Sequence, residues 1–171
     1  DIQGFFDNVC HTKLMRQLWQ MGIRDKRLLC IIKEMLKAQI VMPNGETVTP
    51  TKGTPQGGIL SPLLSNVVLN ELDWWVSDQW ETYQPKRFSN KKSFYSYARN
   101  YTNLKDGFIV RYADDFKLFC RNQQDAVKLF EASKQWLKNR LHLEVSKEKS
   151  KIVNLRKNYS YFLGIKFKVH R

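Results

Sequence analysis

Two aspartates stand side by side at Asp114-Asp115, between the apolar runs 108–113 and 116–120. Adjacent carboxylates repel one another and gain nothing from burial. A divalent cation resolves that conflict, and oxygen donors of this kind suit hard Mg2+. Neighbouring side chains in a regular strand point to opposite faces, so the pattern predicts that Asp114 faces the main metal site while Asp115 is more peripheral. An Asp-Asp pair in a solvated turn is common, and the pair alone carries little. A third carboxylate, Asp1, precedes Ile2-Gln3-Gly4-Phe5-Phe6, which reads as the end of a core strand. Three carboxylates from two strands can hold two Mg2+ ions roughly 4 Å apart, one activating an attacking hydroxyl and one bracing a leaving phosphate. Asp7 is the rival in that segment, but it stands at an expected helix start, where capping is the better reading.

The elements that must position these residues are legible in outline. After Asp7 or Asn8 a helix is expected on the stripe Leu14, Leu18 and Met21, with Met15 and Trp19 beside it, ended by Gly22. Asp25 caps a second helix with an apolar face of Leu28, Leu29, Ile32, Met35 and Leu36. Residues 39–42 and 46–49 flank Pro43-Asn44-Gly45 as a hairpin. The Gly- and Pro-rich segment 51–58 is a loop, and Ser61-Pro62 opens a helix to about Trp80. Strands at 108–113 and 116–120 bracket the aspartates. A helix over 124–141 uses Ala126, Phe130, Trp136, Leu137 and Leu141, and strand-like runs at 151–155 and 161–169 follow. This order predicts an α+β domain, an antiparallel sheet backed by helices.

Charge points to a partner. The net charge is +13 over 171 residues. Residues 1–82 carry 8 basic and 9 acidic side chains, whereas residues 116–171 carry 14 and 4. A basic rear half suggests a polyanion docked along one side. Residues 83–107 interleave lysine and arginine with Tyr83, Phe88, Phe94, Tyr95, Tyr97 and Tyr101. Such a stretch suits a nucleic-acid surface, since cations hold phosphates and rings stack on bases; a loosely ordered loop is the bland alternative. The three cysteines are scattered without a Cys-x-x-Cys pair, which argues against a disulfide framework or zinc site and suits a reducing compartment. No apolar run approaches membrane-spanning length. Asp1 is not an initiator methionine, and the residues around it read as the middle of an element, so a fragment of a longer protein is expected.

Five ordered blocks resemble a reverse transcriptase palm. They are Asp1-Ile2-Gln3-Gly4-Phe5-Phe6-Asp7, the run 53–66 (GTPQGGILSPLLSN), Tyr112-Ala113-Asp114-Asp115, the run 143–152 (LEVSKEKSKI) and Phe162-Leu163-Gly164. The resemblance covers essentially the whole chain and is nearest to the group II intron maturase branch. It implies one palm domain of a right-hand polymerase over 1–171, with an insertion at about 83–107, and with fingers, thumb and maturase regions outside the chain. It implies RNA-directed DNA synthesis from deoxynucleoside triphosphates, on an RNA template and a DNA or RNA primer, using two Mg2+ ions or Mn2+ in their place. The encoding intron RNA is a further implied partner, and bacterial cytoplasm or an organelle the implied setting. Asp1, Asp114 and Asp115 become the catalytic carboxylates, and Ile2 joins them in the metal set. Lys149 becomes the candidate general acid, with Lys147 and Lys151 as rivals. Phe6, Gln56 and Gly57 become nucleotide contacts, Phe6 through exclusion of a 2′-hydroxyl. Lys86, Arg87, Lys91, Lys92 and Arg99 become the RNA contacts of the insertion. Two other readings use the same residues: a non-catalytic RNA-binding maturase module, and a retron, diversity-generating or phage-defence reverse transcriptase.

Overall fold

The computed structural model describes residues 1–55, 57–82, 88–102 and 106–170. Within the span expected as one domain the chain forms two compact units. A helical unit takes Ile2–Glu71 and Trp136–Val145; a sheet unit takes Asp1, Leu72–Gln135 and Ser146–Arg171.

In the helical unit, Gly4 at φ 52 turns the chain into a short helix, α1 (Phe5–Asn8). The expected strand end at Phe5-Phe6 is therefore helical, and Asp7 lies inside α1 instead of capping a helix. The cause is Gly4, whose left-handed backbone starts the turn early. Helix α2 (His11–Gln20) follows from Cys10 with no side-chain cap, and buries His11, Leu14, Gln17 and Leu18. Met21, expected on this stripe, is exposed, and Trp19 lies beneath the Arg24 guanidinium at 4.3 Å. Helix α3 (Lys26–Leu36) is capped as expected: Asp25 Oδ1 accepts from the amides of Arg27 and Leu28 at 2.8 and 3.2 Å. Its expected apolar face is only partly buried. Ile32 and Leu36, one turn apart, are inside, whereas Leu28 and Met35 are exposed. Strands β1 (Ile40–Val41) and β2 (Thr47–Val48) form the short hairpin around Gly45, shorter than its flanking runs suggest. Helix α4 (Ser61–Trp80) matches its expected span. Its first half buries Leu64, Val67, Val68 and Leu69, and Gln17 Nε2 donates to the Val68 carbonyl at 3.2 Å. A π-helical turn at Leu137–Leu141 ends at His142, φ 57, with Leu137, Leu141 and Leu143 buried. Ile2 forms an antiparallel bridge with Val145.

The sheet unit takes the rest of α4, where Leu72, Val76 and Trp80 are buried. The stretch expected as a long loop at 83–107 contains helix α5 (Lys91–Tyr101), capped by Asn90, whose side chain accepts from Ser93 N at 2.9 Å. Several of the interleaved aromatics explain the helix: Phe94 and Ala98 share a core with Trp80, and Tyr95 stacks on Trp80 at 4.7 Å and 11°. Strands β3 (Gly107–Tyr112) and β4 (Asp115–Cys120) pair from Gly107–Cys120 to Tyr112–Asp115. Helix α6 (Gln123–Trp136) runs so close to β3 that a Cβ on Gly107 would lie 2.5 Å from Leu129 Cδ2. Any larger residue there would force the Leu129 side chain to shift.

The run 161–169, expected as one strand, folds back as the hairpin β5 (Ser160–Phe162) and β6 (Ile165–Phe167). Leu163 and Gly164, at φ 50 and 77, supply the two left-handed residues of a tight hairpin turn. Residues 151–155, expected as a strand, are not one; their tie to this hairpin is the Val169 amide donating to the Leu155 carbonyl at 3.0 Å. The α+β mixture is as expected. The single sheet is instead three two-stranded antiparallel ribbons among the described residues, and the Ile2 segment contributes an isolated bridge and not a strand. Among those residues, no helix is long and apolar enough to cross a membrane.

Candidate active site

The β3–β4 ladder closes at Tyr112–Asp115, which leaves Ala113 and Asp114 as a two-residue turn. Alternation therefore applies to Asp115 alone: it shares a sheet face with Tyr112, Val110 and Lys117, while Asp114 sits outside the ladder. The expectation that strand alternation sorts the two aspartates is corrected on that point. Ala113 adopts φ 51, a position glycine usually fills. Holding a non-glycine residue there costs about 1–3 kcal/mol. The compensation is visible in Arg111. Its Nη1 donates to the Ala113 carbonyl at 2.8 Å, its Nη2 reaches Asp73 Oδ2 at 2.6 Å, and its Nε donates to Asp73 Oδ1 at 2.9 Å. A hydrogen bond from a charged donor contributes about 1.5–3 kcal/mol, enough to offset the turn.

Asp1 is held from the other side of the sequence. Its carbonyl accepts from Ser146 N at 3.0 Å and Ser150 Oγ at 3.5 Å, and its Oδ2 pairs with Lys149 Nζ at 3.1 Å. The turn 146–150 is closed by the Ser150 amide donating to the Ser146 carbonyl at 3.1 Å. Among the described residues, Lys149 is the lysine paired with Asp1, which separates it from Lys147 and Lys151. Asp115, Lys117, Asp114 and Lys149 all lie within electrostatic reach of the Asp1 main-chain nitrogen. Asp1, Asp114, Asp115, Lys117 and Lys149 thus share one electrostatic neighbourhood.

The fit to a metal is one of chemistry more than of closure. Three carboxylates without sulfur or imidazole suit Mg2+, and Asp1 Oδ2 already accepts a cationic partner. Yet among the described residues no three such side chains converge closely enough to hold an ion. Ile2 is 2% exposed and its side chain has no donor atom, so only its carbonyl could serve.

Two of the nucleotide-contact candidates, Phe6 and Gly57, lie in the helical unit. Phe6 sits on α1, edge-to-face with Phe5 at 5.4 Å and 67°. Its carbonyl accepts from Thr54 N at 2.7 Å, and Gly53 N donates to Val9 O at 2.7 Å. The buried His11 ring places Nε2 2.6 Å from the Gly53 carbonyl, and Lys52 Nζ donates to Asn8 Oδ1 at 2.7 Å. Gly53, at φ 92, would put a Cβ 3.0 Å from the Phe6 oxygen. Gly57 is exposed at φ 79, and Gln56 lies outside the described residues.

Of the RNA-contact candidates, Lys91 and Lys92 are exposed in the first turn of α5. Arg99 is committed elsewhere: it pairs with the buried Asp106 at 2.8 Å and lies 5.2 Å from the Trp80 ring centre. Lys86 and Arg87 lie outside the described residues. Sequence reasoning missed Asp73, Lys117 and His11. Lys117 was findable, since it stands two residues after Asp115 and so shares its face.

A family model described as reverse transcriptase (RNA-dependent DNA polymerase) matches residues 1–167. The chain belongs to the reverse transcriptase family. Among its relatives, the group II intron-encoded protein LtrA of Lactococcus lactis subsp. cremoris is 31% identical over 209 residues, covering 100% of this chain and 34% of LtrA. A putative COX1/OXI3 intron 1 protein of Saccharomyces cerevisiae is 26% identical, covering 96% of this chain and 23% of that protein. Protein YkfC of Escherichia coli is 28% identical, covering 96% and 44%. This reverse transcriptase segment thus spans less than half the length of these relatives.

Proposed function

We propose that the chain is the palm of an RNA-directed DNA polymerase of the group II intron type, acting on an RNA template, a primer and deoxynucleoside triphosphates. What supports this is that Asp114 and Asp115, distant from Asp1 in sequence, lie within electrostatic reach of its main-chain nitrogen in a reverse transcriptase-family chain. In this reading these carboxylates hold two Mg2+ ions. The ions, when bound, lower the pKa of the primer 3′-hydroxyl and brace the leaving pyrophosphate. Lys149 Nζ, freed from Asp1 Oδ2, delivers a proton to the pyrophosphate oxygen. Phe6 presses its ring against the sugar and excludes a 2′-hydroxyl. Lys91 and Lys92 hold RNA phosphates, the intron's own among them.

In the full-length protein, Asp114→Asn should abolish primer extension on an RNA template while RNA binding, read by filter retention, stays within about twofold, because it rests on phosphate contacts elsewhere. Undiminished extension would overturn the assignment. Parallel loss of extension and binding would mean the pair is structural.

A further inference from the structure

We infer that Arg111 is a positioning residue for the metal site: its guanidinium fixes the Ala113–Asp114 turn that carries the Asp114 carboxylate, and Asp73 on α4 fixes the guanidinium. The inference rests on the metal reading proposed above. Its own ground is the geometry of one side chain. Arg111 grips Asp73 through Nε and Nη2 and turns Nη1 to the Ala113 carbonyl, at distances of 2.6–2.9 Å. The Arg111 side chain is 10% exposed and that of Asp73 32%, so water competes little at the guanidinium. Reaching Asp73 and the Ala113 carbonyl together suits the rigid guanidinium fork; a lysine ammonium is a compact charge on a flexible stem, whose donors do not reproduce that fixed spacing. Ala113 is also the residue held at positive φ, so the bond falls at the point where the turn would otherwise relax.

Sign separates positioning from plain electrostatics. Arg111 is a cation near a site for cations, so if only its charge mattered, removing it would tighten metal binding. Positioning predicts the reverse. The test is Mn2+ binding by the full-length protein, followed by electron paramagnetic resonance without nucleotide or primer. Asp114→Asn defines the relevant site as the binding that it removes. Arg111→Lys and Arg111→Gln should each weaken that binding about tenfold, the lower end for residues that orient metal ligands. Asp73→Asn, which leaves the guanidinium in place but loosened, should weaken it less. Thermal unfolding of Arg111→Lys should stay near wild type, because the ion pair to Asp73 survives. If Arg111→Gln does not fold, Arg111→Lys and Asp73→Asn carry the test. Unchanged or tighter Mn2+ binding in the folded variants overturns the inference. Mn2+ binding that Asp114→Asn leaves intact overturns the metal reading beneath it.

Discussion

Two short irregular segments carry the candidate chemistry, and they are held in opposite ways. The Ala113–Asp114 turn is braced by charge, through Arg111 and Asp73. The loop at Gly53–Thr54 is braced by the main chain, through bonds to Val9 and Phe6 and the imidazole of His11. The difference follows from what each must present. A tip of repelling carboxylates cannot be fixed by burying it, because desolvation would penalise the charges, so an ion pair behind the tip holds it. The loop lies backbone to backbone against α1, so peptide groups hold it most directly, and glycine is required at Gly53, where the two main chains nearly touch.

That contrast can be broken at three points. The largest effect is expected at Gly53→Val, which combines φ 92 with a Cβ 3.0 Å from the Phe6 oxygen. Chemical denaturation should show a loss of about 3 kcal/mol, the sum of backbone strain and overpacking. A loss under about 1 kcal/mol would mean the loop can leave α1 freely. Next comes Phe6→Val, read as the ratio of kcat/KM for deoxyribonucleotides over ribonucleotides. The ratio should fall about tenfold, with deoxynucleotide use reduced only modestly. An unchanged ratio beside lowered stability would make Phe6 a packing residue. The smallest effect belongs to Lys91→Gln combined with Lys92→Gln, where the interactions are exposed and charge-based. The slope of log affinity for single-stranded RNA against log salt should become shallower by about 0.7 for each phosphate no longer neutralised. An unaltered slope would remove α5 from the RNA surface.

The candidate site was chosen with little help from the fold. Adjacent carboxylates at Asp114-Asp115 carry little alone, and they became candidates through Asp1 and the ordered blocks around them. Helices α3 and α4 were legible, since Asp25 and Ser61-Pro62 mark their starts locally. Misreadings came where one residue's backbone decided the outcome. Gly4 starts α1 early, and Gly164 folds what looked like one strand into two. Helix α5 was hidden by composition: its lysines suggested a solvated loop, while Phe94 and Ala98, four apart, were packing on Trp80. Arg111 with Asp73, and His11 with Gly53, were invisible because each pair joins residues far apart in sequence.

The ion pair between Lys149 and Asp1 has a bearing on how any cation arrives. With Nζ at 3.1 Å from Oδ2, the third carboxylate already has a counter-ion. It is one that water reaches, since the Lys149 side chain is 71% exposed, so the pair is loosely held. In the metal reading proposed above, an incoming Mg2+ would compete with the Lys149 ammonium for Asp1 Oδ2, so that filling the site would also release that lysine.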